Sequence, residues 1–127
     1  MRGLHLTADL FDCRDGAGLL SDSVRASALC ERLVAEAGLS AVARSFHSFA
    51  RGQDGGAGWT GVLLLAESHV ALHTWPEQQA VTIDVFVCNV GSDNSAKAGA
   101  LLDRLVGLFE PQRLQRQQLE RGRDAPP

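Results

Sequence analysis

Apolar and polar residues alternate with a period of two along several short segments of this chain, a pattern typical of half-buried strands. The clearest case is residues 81–88, where valine or isoleucine occupies every second position up to Val87. Residues 59–66 are apolar on both faces and are expected inside a sheet, whereas residues 112–120 are polar and are expected at its edge. The pattern predicts six strands, over residues 3–11, 40–49, 59–66, 69–75, 81–88 and 112–120.

Two longer segments follow the spacing of amphipathic helices. The first helix is predicted to begin after Ser21 or Asp22, which can cap it, and to end near Ala37, because Gly38 is a natural stop. Its inward positions are expected to be Val24, Ala28, Leu29, Leu33 and Ala37. The second helix is predicted over about 95–109, after a turn and helix cap at 91–94, with inward positions Ala98, Leu101, Leu102, Leu105 and Leu108.

This order of elements predicts an α+β fold, a two-layer sandwich with a mostly antiparallel sheet and two helices on one face. Two helices cannot cover both faces of the sheet, so the other face is expected to be exposed to solvent or paired with another copy of the chain. A chain of 127 residues is long enough for one core, and we expect a single domain over 1–127. Residues 121–127 are expected to form a frayed tail.

Composition and charge exclude several classes of function. The net charge is -3, and no basic run suggests a nucleic-acid partner. No segment approaches the roughly 20 apolar residues that span a bilayer, and the N-terminus lacks the apolar stretch of a signal peptide. We therefore expect a cytoplasmic protein with no membrane partner. The three cysteines are widely spaced and fit reduced thiols better than disulfides.

Residues 51–58 form a glycine-rich segment that needs separate interpretation. It has no lysine and no helix follows it, so it is not the phosphate-binding loop of nucleotide-binding proteins. We expect it to be a loop between two strands.

The segment 65–77 places an acid, a hydroxyl, two histidines and a tryptophan between apolar strands. His69 and His73 are four residues apart, the spacing of histidine pairs that bind zinc on a helix, but this segment is predicted to be a strand. Four residues along a strand span roughly 13 Å, too far for one metal ion to bridge. We therefore expect no metal site here.

Two covalent chemistries remain open for Ser68 at this stage. A hydrolase is weakly indicated, because the Gly-x-Ser-x-Gly motif is absent and Ser68 and His73 point to opposite faces of an extended chain. Alternatively, the serine could attack the carbonyl that precedes it, which needs a strained peptide bond and a nearby base.

Motifs along most of the chain decide between these possibilities by resemblance. Glu67-Ser68-His69, followed by His73-Thr74-Trp75-Pro76-Glu77, resembles the processing site of the small prokaryotic S-adenosylmethionine decarboxylases, which are pyruvoyl-dependent proenzymes. Further similar segments lie at 3–13, 45–49, 84–88 and 120–123.

The resemblance implies that the chain cuts itself into a beta chain, 1–67, and an alpha chain, 68–127. Ser68 becomes a pyruvoyl group, which replaces pyridoxal phosphate and forms a Schiff base with the substrate amine, and Glu67 is the other residue of the cleavage site. His73 corresponds to the proton acceptor in processing. Cys88 corresponds to the proton donor in decarboxylation, whereas Cys13 and Cys30 are expected to be inert buried thiols.

The resemblance also implies a substrate and an assembly. Phe49 and Trp75 align with positions that contact the adenosyl part of S-adenosylmethionine, for which aromatic faces are suited. Glu77 aligns with a carboxylate suited to the ribose hydroxyls. The product would be the aminopropyl donor for spermidine synthesis, and the family is homodimeric.

The sequence departs from the family where tyrosines commonly follow the Trp-Pro-Glu run. Gln78-Gln79-Ala80 stands there, and the chain has no tyrosine. An arginine or ornithine decarboxylase on the same scaffold therefore remains an alternative, with Glu77 or Asp84 pairing with a guanidinium or ammonium group. A second alternative is an unprocessed homologue with a binding or regulatory role.

Overall fold

The computed structural model describes residues 1–50 and 57–123 of the chain. Most of the glycine-rich loop expected over 51–58, and residues 124–127 of the expected tail, lie outside these ranges. In chain order the elements are β1 (Gly3–Phe11), α1 (Ser23–Glu36), β2 (Ala41–Ser48), β3 (Trp59–Leu65), β4 (Ser68–Trp75), β5 (Ala80–Cys88), α2 (Ser95–Phe109) and β6 (Arg113–Arg121).

The six strands form one sheet in the order β2-β3-β4-β5-β1-β6, and each neighbouring pair is antiparallel. The predicted α+β sandwich is therefore confirmed. The polar strand β6 lies at the edge, as expected, and the apolar strand β3 lies inside the sheet between β2 and β4.

The core lies between the sheet and the two helices. The alternating apolar residues of β5 face this core and are all at most 1% exposed: Val81, Ile83, Val85 and Val87. Helix α2 packs on β5 and β1, and α1 packs on β2 and β3. In α2, Phe109 is fully buried where Leu108 was expected, and Leu108 packs partly buried beside the core.

The inward face of α1 differs from the expected stripe. Its buried residues are Ala26, Cys30, Leu33 and Val34, whereas Val24 is 80% exposed and Ala28 is also exposed. Compared with the expected stripe, α1 is rotated about its own axis, so that Cys30 faces inward. There Cys30 packs as a small apolar side chain in the core. Asp22 caps the helix, since its carboxylate accepts a hydrogen bond from the backbone N–H of Arg25.

The expected tail was wrong at its first residue. Arg121 belongs to β6 and pairs with Gly3 of β1. Backbone pairing along an edge strand does not require apolar side chains, so the polar sequence gave no sign of where β6 ends.

The face of the sheet opposite the helices carries no covering element in the described residues; we call it the open face. Cross-strand pairs place all four histidines on it: His5 and His69 oppose Phe86, and His47 and His73 oppose Thr60. No helix in the described part of the chain is long and apolar enough to cross a membrane.

Candidate active site

The turn between β3 and β4 consists of Ala66 and Glu67, because Leu65 pairs directly with Ser68. Glu67 has a φ of 54°, in the left-handed region that is costly for a residue with a side chain. The peptide bond between Glu67 and Ser68 therefore follows a strained residue.

Three of the predicted site residues converge at this turn. Ser68 is the first residue of β4, and its Oγ accepts a hydrogen bond of 2.9 Å from the backbone N–H of Cys88. Cys88 is the last residue of β5, and its Sγ donates to the Glu67 carboxylate at 3.4 Å. A hydroxyl, a thiol and a carboxylate thus surround the Glu67–Ser68 bond.

The loop after β5 fixes the end of that strand. The Asn94 side chain donates to the carbonyl of Cys88 at 2.8 Å, while its backbone N–H donates to the Asn89 side chain at 2.8 Å. Asp93 accepts from the backbone N–H of Ser95 at 2.9 Å, and hydrogen bonds from Ser95 lower the pKa of Asp93. Asn94 stands at the N-cap of α2 but makes no side-chain cap bond, so its amide supports Cys88 instead. The sequence interpretation had treated this segment only as a turn and cap.

The other two cysteines lie in the core. Burial, with smaller contributions from Asp15 and Asp12, raises the pKa of Cys13 to about 11. Burial raises the pKa of Cys30 to about 12. Both thiols are at most 1% exposed, in agreement with the expectation that they are inert.

His73 does not lie near Ser68. Strand β4 alternates, with Val70, Leu72 and Thr74 buried and the histidines on the open face. Five residues along a strand separate Ser68 from His73 by about 16 Å. His73 instead hydrogen-bonds Thr60 through its Nδ1 and packs near Trp75, with 6.1 Å between the ring centroids.

The predicted substrate-binding residues also lie at this far end of β4. Phe49 is 52% exposed, and its backbone N–H donates to the carbonyl of Gly58 at the end of the β2–β3 hairpin. Trp75 is 38% exposed, and Glu77 is exposed in the short 3-10 turn that follows it. We call Phe49, His73, Trp75 and Glu77 the distal cluster. In a single chain, His73 and Trp75 lie about 16 and 23 Å along β4 from Ser68.

A shallow groove of about 480 Å³ adjoins Ser68. The rings of His69 and Phe86 stack within it at a centroid distance of 5.6 Å. Beside it, the Nε2 of His5 lies 3.0 Å from a carboxylate oxygen of Asp84, and the His5 ring meets the edge of Phe86. The groove is lined by Val42, Leu64, Leu65, Glu67, Ser68, His69, Phe86 and Arg121.

Sequence reasoning missed His5, Phe86, Arg121 and Asn94 as neighbours of the site. The first three share the open face only because β1 lies between β5 and β6, a strand order that no local pattern contains. A signal existed for Phe86 alone, since its alternation places it on the same side of β5 as Cys88. His69 and His73 oppose Phe86 and Thr82 respectively, so their separation along β4 agrees with the argument against a shared zinc ion.

Comparisons with known proteins agree on one family. The family model described as S-adenosylmethionine decarboxylase matches residues 4–122. The chain is 36% identical over 120 residues to the S-adenosylmethionine decarboxylase proenzyme of Aquifex aeolicus, covering 94% of this chain and 81% of the relative. The proenzyme of Persephonella marina is 37% identical over 120 residues, with 94% and 82% covered.

A solved structure gives the same result. The crystal structure of the adenosylmethionine decarboxylase from Aquifex aeolicus matches with a TM-score of 0.80 and 32% sequence identity. The match covers 97% of this chain and 92% of that chain. The fold and its boundaries are therefore shared along nearly the whole length.

Proposed function

The chain belongs to the S-adenosylmethionine decarboxylase family, and we propose that it is a self-cleaving proenzyme that decarboxylates S-adenosylmethionine. The observation that carries the proposal is the meeting of Ser68 and Cys88 beside a strained turn. The product would serve as the aminopropyl donor for spermidine synthesis. A cytoplasmic location and the absence of a nucleic-acid partner remain predictions from the sequence.

Self-cleavage begins at the Ser68 hydroxyl. Its Oγ attacks the carbonyl carbon of Glu67, the C–N bond breaks, and an ester replaces the amide while Ser68 gains a free amine. The carbonyl that is attacked belongs to a residue in the left-handed region, since φ of Glu67 is 54°. The Ser68 oxygen accepts a hydrogen bond from Cys88, so its own proton is available to a base.

Removal of the Cα proton of Ser68 then breaks the Cβ–O bond. Residues 1–67 leave with a new carboxylate at Glu67, and residue 68 becomes dehydroalanine. Its imine tautomer takes up water and releases ammonia, which leaves a pyruvoyl group at the head of the chain 68–127. A histidine is suited to remove the proton because its ordinary pKa lies near neutrality.

The assigned base, His73, cannot act on Ser68 of its own chain, since about 16 Å separates the two along β4. The open face offers a solution, because Ser68 borders a groove at one end of β4, whereas the distal cluster lies at the other end of the same strand. In a two-fold dimer, a face meets an identical face and one end can oppose the other end. We therefore propose a homodimer in which the distal cluster of one copy completes the site at Ser68 of the other.

The residues at Ser68 fit a pyruvoyl group that this serine would generate. When present, that group supplies a carbonyl that holds the substrate amine and withdraws the electron pair left by departing carbon dioxide. Cys88 is placed to return a proton, since its thiol already lies at 3.4 Å from the neighbouring Glu67 carboxylate. Neither pyridoxal phosphate nor a metal ion enters this proposal.

The distal cluster would select the substrate. The exposed faces of Phe49 and Trp75 suit an adenine ring and a sulfonium cation. The exposed carboxylate of Glu77 suits a ribose diol. A decarboxylase for arginine or ornithine is the second candidate, because Gln78 and Gln79 replace the aromatic residues common after this motif.

Carbon dioxide release from S-adenosylmethionine, arginine and ornithine, measured side by side, tests the substrate. We expect S-adenosylmethionine to give the highest kcat/KM. Ser68→Ala protein is the matched blank, because it keeps every other residue of the site. Faster release from either amino acid would assign the alternative activity, and no release from any substrate would favour the unprocessed binding homologue.

A further inference from the structure

We propose that Arg121 binds the α-carboxylate of the substrate and so distinguishes substrate from product, an inference that rests on the proposed decarboxylase function. S-adenosylmethionine, arginine and ornithine all carry an amine and a carboxylate on the same carbon. Once the amine is held at residue 68, the carboxylate lies beside it in the same groove. A cation in that groove is the recognition element such a substrate requires.

The strand order places Arg121 level with Cys88. Gly3 pairs with Arg121 on one side and with Cys88 on the other, so the three residues form one row across β6, β1 and β5. Two strand spacings separate the outer Cα atoms by about 10 Å. Residues that pair directly share a face of the sheet, and Gly3 places no side chain between Arg121 and Cys88.

Phe86 occupies the space that Gly3 leaves. A Cβ atom at Gly3 would lie 2.7 Å from Cε2 of Phe86, so the ring rests directly on the glycine backbone. The guanidinium carbon of Arg121 lies 5.9 Å from the centroid of the same ring. The planar guanidinium is therefore held by an aromatic face beside the groove, which it lines together with Ser68.

The charge of Arg121 is not committed to a protein carboxylate. Among residues 1–50 and 57–123, no ion pair includes it. The adjacent Glu120 and Arg123 pair with each other at 2.9 Å. A planar group with five donors, free of an ion pair in the described structure, can take a substrate carboxylate in a two-point contact.

The reaction itself removes the group that Arg121 would bind. Each candidate product lacks the carboxylate and carries one more positive charge than its substrate. Arg121 would therefore attract the substrate and repel the product. Because this contact is made before the carbon–carbon bond breaks, its loss raises KM and leaves kcat little changed.

The test uses the cleaved wild-type enzyme and its Arg121→Gln variant. We expect KM to rise about tenfold in the variant, with kcat within about twofold of wild type. Titration calorimetry with the decarboxylated product gives a second readout, and the variant should bind this product more tightly. Arg121→Lys should give a KM between those of the wild type and Arg121→Gln, since lysine keeps the charge and loses the planar contact.

Arg123→Gln is the matched control, because it removes a nearby arginine that does not line the groove. It should leave KM and product binding unchanged. An unchanged KM in a cleaved and active Arg121→Gln enzyme would overturn the proposal, as would KM and the product dissociation constant rising together. If slower self-cleavage is the sole defect, Arg121 would instead act in the cleavage step, at the chain end that forms at Glu67. A wild-type chain that neither cleaves nor decarboxylates would overturn the proposed function as well.

Discussion

The backbone N–H of Cys88 donates a hydrogen bond of 2.9 Å to the Oγ of Ser68. The bond joins the last residue of β5 to the first residue of β4, 20 positions apart in the sequence. It places the hydroxyl proposed to cut the chain beside the thiol proposed to complete the later reaction. One end of the β4–β5 pair thus serves both steps.

Replacement of Cys88 by alanine should separate the two steps. The hydrogen bond to Ser68 comes from the backbone, so Cys88→Ala protein should still cleave. Loss of the proton donor should lower kcat for decarboxylation by about a hundredfold or more. Gel analysis of cleavage and carbon dioxide release from the same preparation would check both.

Cys13→Ala is the matched control for Cys88→Ala. It removes a buried thiol elsewhere in the core, so we expect about 1 kcal/mol of lost stability with an unchanged kcat. Full decarboxylase activity in Cys88→Ala would remove the role of this thiol as proton donor.

Thiol labelling of the folded protein should stop at one site. The reactive form is the thiolate, and pKa values raised to about 11 and about 12 leave at most about a thousandth of Cys13 and Cys30 ionised at pH 8. Iodoacetamide at pH 8 should therefore modify Cys88 first, as read by peptide mass spectrometry. Protein in denaturant should take up three labels. Labelling of Cys30 in the native state at the rate of Cys88 would be inconsistent with the buried position of Cys30.

Asn94 is expected to act as a positioning residue for self-cleavage. Asn94→Ala removes the 2.8 Å bond to the carbonyl of Cys88, so the partner of Ser68 loses its support. We expect self-cleavage to slow about tenfold, with a loss of stability of about 1 kcal/mol. Pulse-chase gels would give the rate, and urea unfolding of the variants in a Ser68→Ala background would give the stability.

Asp93→Ala provides the comparison for Asn94→Ala, since it removes a neighbouring bond at the start of α2 without touching Cys88. It should cost similar stability and leave the rate of cleavage unchanged. Equal slowing in both variants would show that Asn94 acts only through the stability of the loop.

Strands with long, regular alternation could be predicted from the sequence with little error. Residues Val81 to Val87 alternate without interruption, and one fully buried face leaves the strand a single orientation. The face of α1 could not be predicted as well. Its positions carry several alanines and a cysteine, so stripes centred on Leu29 and on Cys30 differ little in hydrophobicity, and packing against β2 and β3 decides between them.

The parts of the site formed by residues close together in the sequence could be predicted. The parts that depend on the order of strands in the sheet could not. Glu67 and Ser68 are adjacent in sequence, and the opposite orientation of His73 follows from counting along a strand. The position of Arg121 depends on β6 pairing with β1, which no local pattern encodes. The separation of the distal cluster from Ser68 indicates a site shared between two copies only in combination with the uncovered open face, which the sequence does not reveal.

Mixed dimers should restore cleavage that neither parent shows. Ser68→Ala protein lacks the nucleophile, and His73→Ala protein lacks the proposed base. If the base acts across the dimer, a mixed dimer carries one intact site, made of Ser68 from the His73→Ala chain and His73 from the Ser68→Ala chain. Coexpression with two different tags should therefore cut only the His73→Ala chain. Cleavage within His73→Ala protein alone would exclude His73 as the required base.

The intact mass of the purified wild-type protein tests self-cleavage at Glu67 and Ser68 most directly. We expect two chains, residues 1–67 and residues 68–127, with the second lighter by one ammonia than the unmodified peptide and blocked at its first residue. Ser68→Ala protein should remain a single chain of 127 residues. A wild-type protein that remains one uncut chain of 13.6 kDa would contradict the proposal.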